Sequence, residues 1–242
     1  MTRSTDSRQG TTIVEILGLA GSGKSTAWQR LQDSWDEVLP TYRVDRRLLL
    51  GAILRVSYGT VAREGFAAIR DPTGGFQGLR LAIHMDAMLR DLSERRFSGK
   101  GLLFLDQGPI FNCVSASRLA DLGHVHDWVP SFMREQLLDR LDFLESIVFL
   151  DAEPRILLDR IQVREQQHQI KGRDESTMLS FLEDYRARYT RILDEIGARR
   201  ELAPLHLDTG QNGPEEILEL IREHIRRRME GVPVTDPSDG MP

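Results

Sequence analysis

The chain has 242 residues and a mass of 27.6 kDa, with 40% hydrophobic and 29% charged residues, a formal net charge of −5 and a pI of about 5.7. Such a chain can bury a sizeable core, which excludes disorder over most of its length, and its acidic balance argues against wholesale binding to nucleic acid or to an acidic membrane surface. The single cysteine, Cys113, excludes a disulfide framework and a cysteine-based zinc site and fits a reducing cytosol. Met1 to Gly10 is polar and lacks the apolar segment of a signal peptide. No apolar run approaches the roughly 20 residues that span a bilayer, so a soluble cytoplasmic protein is expected. Lysine occurs only at Lys24, Lys100 and Lys171, so 29 of the 32 basic residues are arginine. A lysine kept in that background marks a place where a compact ammonium does what a planar guanidinium does not, and Lys24 is the one to follow.

Thr12–Gly18 (TIVEILG) reads as a buried strand stopped by glycine, and Ser25–Ser34 as a helix opening directly after a glycine loop. A short second strand is expected around Val38–Val44. The pattern between Asp45 and Phe97 is mostly helical, broken at Gly51, Gly59 and Gly65 and by the Asp71-Pro-Thr-Gly-Gly75 loop. Gly101–Asp106 (GLLFLD) and Ser146–Asp151 (SIVFLD) are apolar runs ending in a carboxylate, as in parallel strands buried on both faces. Between them lie helical stretches at Val114–Leu122 and Pro130–Leu144. Pro154–Gln167 opens a helix with proline in its first turn, and the polar stretch Glu165–Glu175 separates it from a long helix through Ile196. Leu205–Asp208 is the last strand and Pro214–Met229 the last helix; the tail from Gly231 is expected to fray.

This alternation predicts one α/β domain over residues 11–230, between flexible tails at 1–10 and 231–242, with a parallel sheet and right-handed crossovers. Ligands of such sheets sit beyond the carboxyl ends of the strands, which singles out Gly18, Asp106, Asp151 and Asp208.

Gly18-Leu-Ala-Gly-Ser-Gly23-Lys24-Ser25 satisfies G-x-x-x-x-G-K-[ST], and Thr26 follows. Backbone N–H groups can turn inward around a phosphate only where glycines remove blocking side chains, and the helix N-terminus adds its positive dipole end. Lys24 is expected to bridge β- and γ-phosphates and the Ser25 hydroxyl to ligate Mg²⁺, with Gly18, Ala20, Gly21, Ser22, Gly23 and Thr26 completing the donor contacts. Asp106, at the tip of an apolar strand, suits a carboxylate that holds Mg²⁺ through water or accepts a proton. Arg160 and Arg164 stand at i and i+4 on one helix face, with Lys171 and Arg173 following, so residues 160–175 read as a mobile lid that delivers cations to a transferring phosphoryl group.

With these motifs the chain resembles the nucleoside and nucleotide kinases of the P-loop superfamily, especially thymidylate kinases and deoxynucleoside kinases. The matching pieces are GLAGSGKST, LLFLDQGP, FLDAEPRILLDRIQVR, YRARYTRIL and HLDTG…PEEILELI, in the family's order from Thr12 to Arg226. The resemblance implies a P-loop NTPase fold, three-layer α/β/α with a five-stranded parallel sheet, a helical acceptor-site insertion and an arginine-bearing lid. It also implies an adenine site near Thr209–Gly210. Two places depart from the pattern. Gln107 stands where many relatives carry an arginine after the strand-end acid. The Arg-Glu-Pro loop of thymidylate kinases has only Tyr42-Arg43-Val44-Asp45 as its nearest counterpart, and Arg70-Asp-Pro-Thr-Gly-Gly75, similar in composition, lies too far along the chain.

The expected activity is ATP- and Mg²⁺-dependent phosphoryl transfer to a small acceptor, a nucleoside or nucleoside monophosphate. Catalytic roles fall to Lys24, Asp106, Arg160 and Arg164, and metal binding to Ser25 and Asp106. Residues 43–100 would form the acceptor pocket, with Arg43, Asp45, Arg47, Arg55 and Arg80 as contacts. The expected partner is the small-molecule acceptor, with no nucleic acid and no membrane; a homodimer is compatible with the chain. Another metabolite hydroxyl as acceptor, or a nucleotide-dependent regulatory ATPase, stays open as an alternative.

Overall fold

The central strand, β1 (Thr11–Gly18), is buried from Ile13 to Gly18, as an apolar run interrupted only by Glu15 favours. It pairs in parallel with β2 (Gly101–Asp106) on one side and β3 (Ser146–Asp151) on the other, and β4 (Leu205–Asp208) pairs in parallel with β3. The sheet order is therefore β2-β1-β3-β4. The structure, a computed structural model, describes residues 10–40, 42–45, 47–56, 75–95, 100–164, 170–200 and 202–230.

The described sheet has four strands rather than the expected five. In place of a strand over Val38–Val44, the described residues show one parallel bridge, from Val38 to Leu102 on the free edge of β2. The Leu39 N–H donates to the Leu102 carbonyl (2.7 Å) and the Leu102 N–H to the Glu37 carbonyl (2.9 Å).

Side chains alternate across β1 and fill two cores. Val14 and Ile16 pack with Phe104, Val148 and Leu150 against α1 (Lys24–Ser34) and α8 (Pro214–Met229). Ile13 and Leu17 face the opposite layer, which contains α3 (Gly75–Arg95), α4 (Pro109–Asp121), α5 (Trp128–Asp139), α6 (Pro154–Val163) and α7 (Glu175–Arg199). The result is the expected three-layer α/β/α arrangement. A further helix, α2, spans residues 47–56.

Three helices differ from expectation by four or more residues at an end, and α6 is one: it stops at Val163 rather than Gln167, which leaves Arg164 just past the helix instead of on one face with Arg160. Helix α4 opens at Pro109 rather than Val114, because proline fits the first helical turn, where its missing N–H costs nothing. Helix α5 stops at Asp139, and a single 3-10 turn at Leu141–Phe143 leads into β3. The expected breaks at Gly59 and Gly65, residues 71–74 of the expected loop, residues 165–169 of the lid and the two tails fall outside the described residues, apart from Gly10. No helix among the described residues is long and apolar enough to cross a membrane.

Candidate active site

The site is built where β1 ends. Gly18 has φ +148°, and a Cβ there would lie 2.1 Å from the Leu150 carbonyl oxygen on β3, backbone against backbone. Gly21 (φ +82°) and Gly23 (φ +85°) are left-handed, and Gly23 is the residue from which α1 starts. The chain thereby wraps a loop around the helix N-terminus. Lys24 closes it from inside: its ammonium donates to the carbonyls of Gly18 (2.9 Å) and Leu19 (2.8 Å). Burial pulls that ammonium down to about 8, Asp106 opposing the shift and the Arg164 guanidinium adding to it. Two cations held this close favour an anion between them.

A cavity of about 700 Å³ opens over the loop, with residues 18–27 on its floor. Lys24, Ser25, Asp106, Arg160, Arg164 and Thr209 all line it, whereas Lys171 and Arg173 of the expected lid and Gly210 do not. Arg160 donates to the Thr209 hydroxyl (2.8 Å) and carbonyl (2.8 Å) and reaches the Gly21 carbonyl at 3.4 Å. It thus ties α6 to the phosphate loop and to the turn after β4. Arg164 follows the last residue of α6, and its carbonyl accepts a hydrogen bond from the Lys171 ammonium.

The four strand ends divide into two classes. Gly18 and Asp106 face the cavity. Asp151 is engaged by Arg186 of α7 through two bonds of 2.8 and 3.0 Å, which pin that helix to β3. Asp208 accepts from the N–H of Gly210 at 2.7 Å and shapes the turn that carries Thr209.

The acceptor candidates behave differently. Arg43, Asp45, Arg47, Arg55 and Arg80 are not among the residues lining the cavity. Asp45 starts α2, its carboxylate accepting from the Arg47 N–H at 2.8 Å. Arg55 makes a paired contact with Asp86 of α3, at 3.0 and 2.7 Å. Instead, the cavity beyond Asp106 is walled by Phe111 of α4 and by Phe181, Tyr185 and Tyr189 of α7. Phe181 and Tyr185 lie with ring centroids 4.7 Å apart, and Arg118 stacks over the Phe181 ring at 4.6 Å. Sequence reasoning missed this wall, although aromatic residues at i, i+4 and i+8 of one helix were its visible signal.

It also missed Glu15. This residue interrupts an otherwise apolar strand, is fully buried, and accepts from the N–H groups of Ile110 (3.1 Å) and Phe111 (3.0 Å) at the start of α4. Burial pushes its carboxyl up to about 8 against the pull of those two amides, with Asp106 adding to the rise.

A hydroxyl (Ser25) and a carboxylate (Asp106) lining one cavity are hard oxygen donors, which suit Mg²⁺ bound jointly with phosphate oxygens and water. No group of three or more His, Cys, Asp or Glu residues able to form an all-protein metal cage occurs among the described residues. The donor set fits the ion.

No family model and no curated protein matches the sequence. Among solved structures, the chain is similar to deoxyadenosine kinase from M. mycoides with the products dCMP and a flexible dCDP bound, at 14% identity and a TM-score of 0.53, covering 89% of this chain and 99% of that one. The same enzyme with bound dATP gives 14% identity and a TM-score of 0.51 over 88% of this chain and 98% of the other. At that identity the likeness speaks for architecture. The parallel sheet and the helical layers of this chain share the fold of that deoxyadenosine kinase.

Proposed function

We propose that this protein is a kinase that transfers the γ-phosphoryl group of ATP to a hydroxyl of a small acceptor, with a nucleoside as the acceptor class. The observation that carries the reading is the composition of one cavity. A phosphate loop with its lysine, a strand-end carboxylate and two lid arginines share it with an aromatic wall. The deoxyadenosine kinase fold, seen with deoxynucleotides bound, supports the same assignment.

Each residue then has a role. The amides of the loop and Lys24 hold the donor phosphates, while Arg160 keeps the donor end closed through Thr209. Ser25 and Asp106 would hold Mg²⁺, which supplies neutralisation of charge on the β- and γ-phosphate oxygens. Arg164, whose charge already acts on Lys24, meets the oxygens of the transferring group. The aromatic wall stacks the acceptor base and aims its hydroxyl at the γ-phosphorus. The new O–P bond forms as the bridging bond to ADP breaks; the leaving oxygen keeps the electron pair, and the proton of the acceptor hydroxyl passes to the Asp106 carboxylate. Such a transition state is loose, so the protein contributes chiefly by positioning and by electrostatics.

The test is a transfer screen with γ-labelled ATP over nucleosides, nucleoside monophosphates and small hydroxyl metabolites. Label should appear on one or more nucleosides and depend on Mg²⁺. ATP turnover that no acceptor stimulates would overturn the reading and favour a regulatory ATPase. Transfer confined to a non-aromatic metabolite would overturn the role given to the aromatic wall.

A further inference from the structure

A carboxyl group in the middle of the central strand needs a reason. Glu15 lies on the β1 face it shares with Ile13 and Leu17, at 0% exposure, and such burial is costly unless the group is hydrogen-bonded. Its two oxygens meet the N–H groups of Ile110 and Phe111, in the first turn of α4. Those N–H groups are among the donors that a helix leaves unpaired at its start. The residue preceding α4 is Gly108, which has no side chain to cap them. A Cβ on Gly108 would lie 2.5 Å from the Glu15 carboxyl carbon. Glu15 therefore occupies the space, and performs the task, of a capping side chain, reaching across from another strand.

What this cap holds is the turn Asp106-Gln107-Gly108-Pro109. Gln107 sits at φ +65°, a left-handed conformation that a non-glycine residue adopts only when its surroundings impose it. From the outside, the Asn112 side-chain amide donates to the carbonyls of Gln107 (3.0 Å) and Gly108 (2.8 Å). From the inside, Glu15 grips Ile110 and Phe111, just past Pro109. On one side of the gripped segment is Asp106 and on the other Phe111, both of which line the cavity.

We infer that Glu15 is a positioning residue for phosphoryl transfer: by capping α4 from within the core it sets the strained turn that places Asp106 over the phosphate loop and Phe111 in the acceptor wall. The inference rests on the kinase reading only for its kinetic consequence. The loop that holds the donor is built by β1 and α1 without α4, so donor binding should not depend on Glu15.

The test uses the full chain with Glu15→Gln and Glu15→Leu. Glutamine keeps one acceptor oxygen but turns an amide group toward the second N–H; leucine removes both acceptors at similar volume and leaves both N–H groups unpaired, so its melting temperature should fall more than the glutamine variant's. Both variants should bind an ATP analogue within twofold of the parent, and both should lose at least tenfold in kcat at an unchanged donor KM. Amide hydrogen exchange should accelerate at least tenfold at residues 110–113 and stay unchanged at residues 18–27. A merely structural role would instead weaken donor binding and turnover together, in step with the loss of melting temperature, and that result overturns the inference. Exchange at residues 110–113 equal to the parent's, or kcat within twofold in both variants, overturns it as well. If the parent itself transfers no label to any acceptor, the kinase reading is the one that fails, and exchange around α4 still decides whether Glu15 is its anchor.

Discussion

Removing the two lid arginines one at a time should separate donor affinity from turnover. Arg160 makes two bonds of 2.8 Å to Thr209 and a longer one of 3.4 Å to the Gly21 carbonyl, too long to contribute much. The residue is exposed, so each of the two shorter bonds contributes about 0.5–1 kcal/mol after competition with water. Together they amount to roughly 1–2 kcal/mol, spent on holding the phosphate loop and the β4–α8 turn closed around the donor. At about 1.4 kcal/mol per tenfold, Arg160→Ala should weaken ATP binding by roughly 5- to 30-fold while kcat stays within about twofold. On the proposed mechanism, Arg164 meets the transferring phosphoryl group in the transition state. A cation supplied that way contributes a factor of roughly 10³ or more, about 4 kcal/mol of barrier, so Arg164→Ala should cut kcat strongly at nearly constant donor affinity. Arg173→Ala should do less. Calorimetric titration with a non-hydrolysable ATP analogue gives the affinities, and steady-state transfer over a donor series gives kcat. A loss in Arg164→Ala under about threefold would move the phosphoryl contact elsewhere, with Arg160 next in line. A collapse of kcat in Arg160→Ala with donor affinity intact would refute the division of labour between them.

Lys24→Ala should abolish transfer in a folded protein, and Lys24→Arg should fail substantially, since a planar fork cannot make the two carbonyl contacts of a compact ammonium; near-normal transfer by either, with an unchanged circular dichroism spectrum, would remove the central claim. Asp106→Asn should lose far more in rate than in ATP affinity, and a Mg²⁺ titration identical to the parent's would reduce Asp106 to a turn residue. Acid should weaken the fold through His224, whose Nε2 meets the Ser146 hydroxyl at 2.8 Å and whose ionisation is held down to about 4, first by burial and then by Arg228 and Arg227. The folded state keeps this imidazole neutral, so its stabilising effect is complete above the ordinary value of 6.5 and is lost as the pH falls toward 4. The loss should be of order 2 kcal/mol after solvent screening, read as a drop in melting temperature between pH 7 and pH 4 that shrinks in His224→Gln. An equal drop in parent and variant would acquit the histidine.

Much of the frame was legible in the residues alone. The bounds of β2, β3, β4 and α8 coincide with the expected ones, because an apolar run closed by a carboxylate, or an amphipathic run opened by proline, carries its own start and stop signals. The phosphate loop was legible for a related reason. Its glycines answer to local backbone demands, φ +82° at Gly21 and φ +85° at Gly23, that scarcely any other residue meets. Of the expected second strand, the described residues keep the bridge from Val38 to Leu102. Tertiary structure alone decided the rest. Asp106 and Asp151 close nearly identical runs, GLLFLD and SIVFLD, yet one faces the cavity and the other is engaged by Arg186, thirty-five positions away. The aromatic wall joins α4 to α7, and Glu15 caps a helix that begins almost a hundred residues later. Backbone conformation and burial periodicity are fixed by near neighbours and so leave a trace in sequence order. Which carboxylate meets a cation, and which ring meets a cavity, is settled only when separate elements pack, because side chains at distant positions have no local reason to prefer one another.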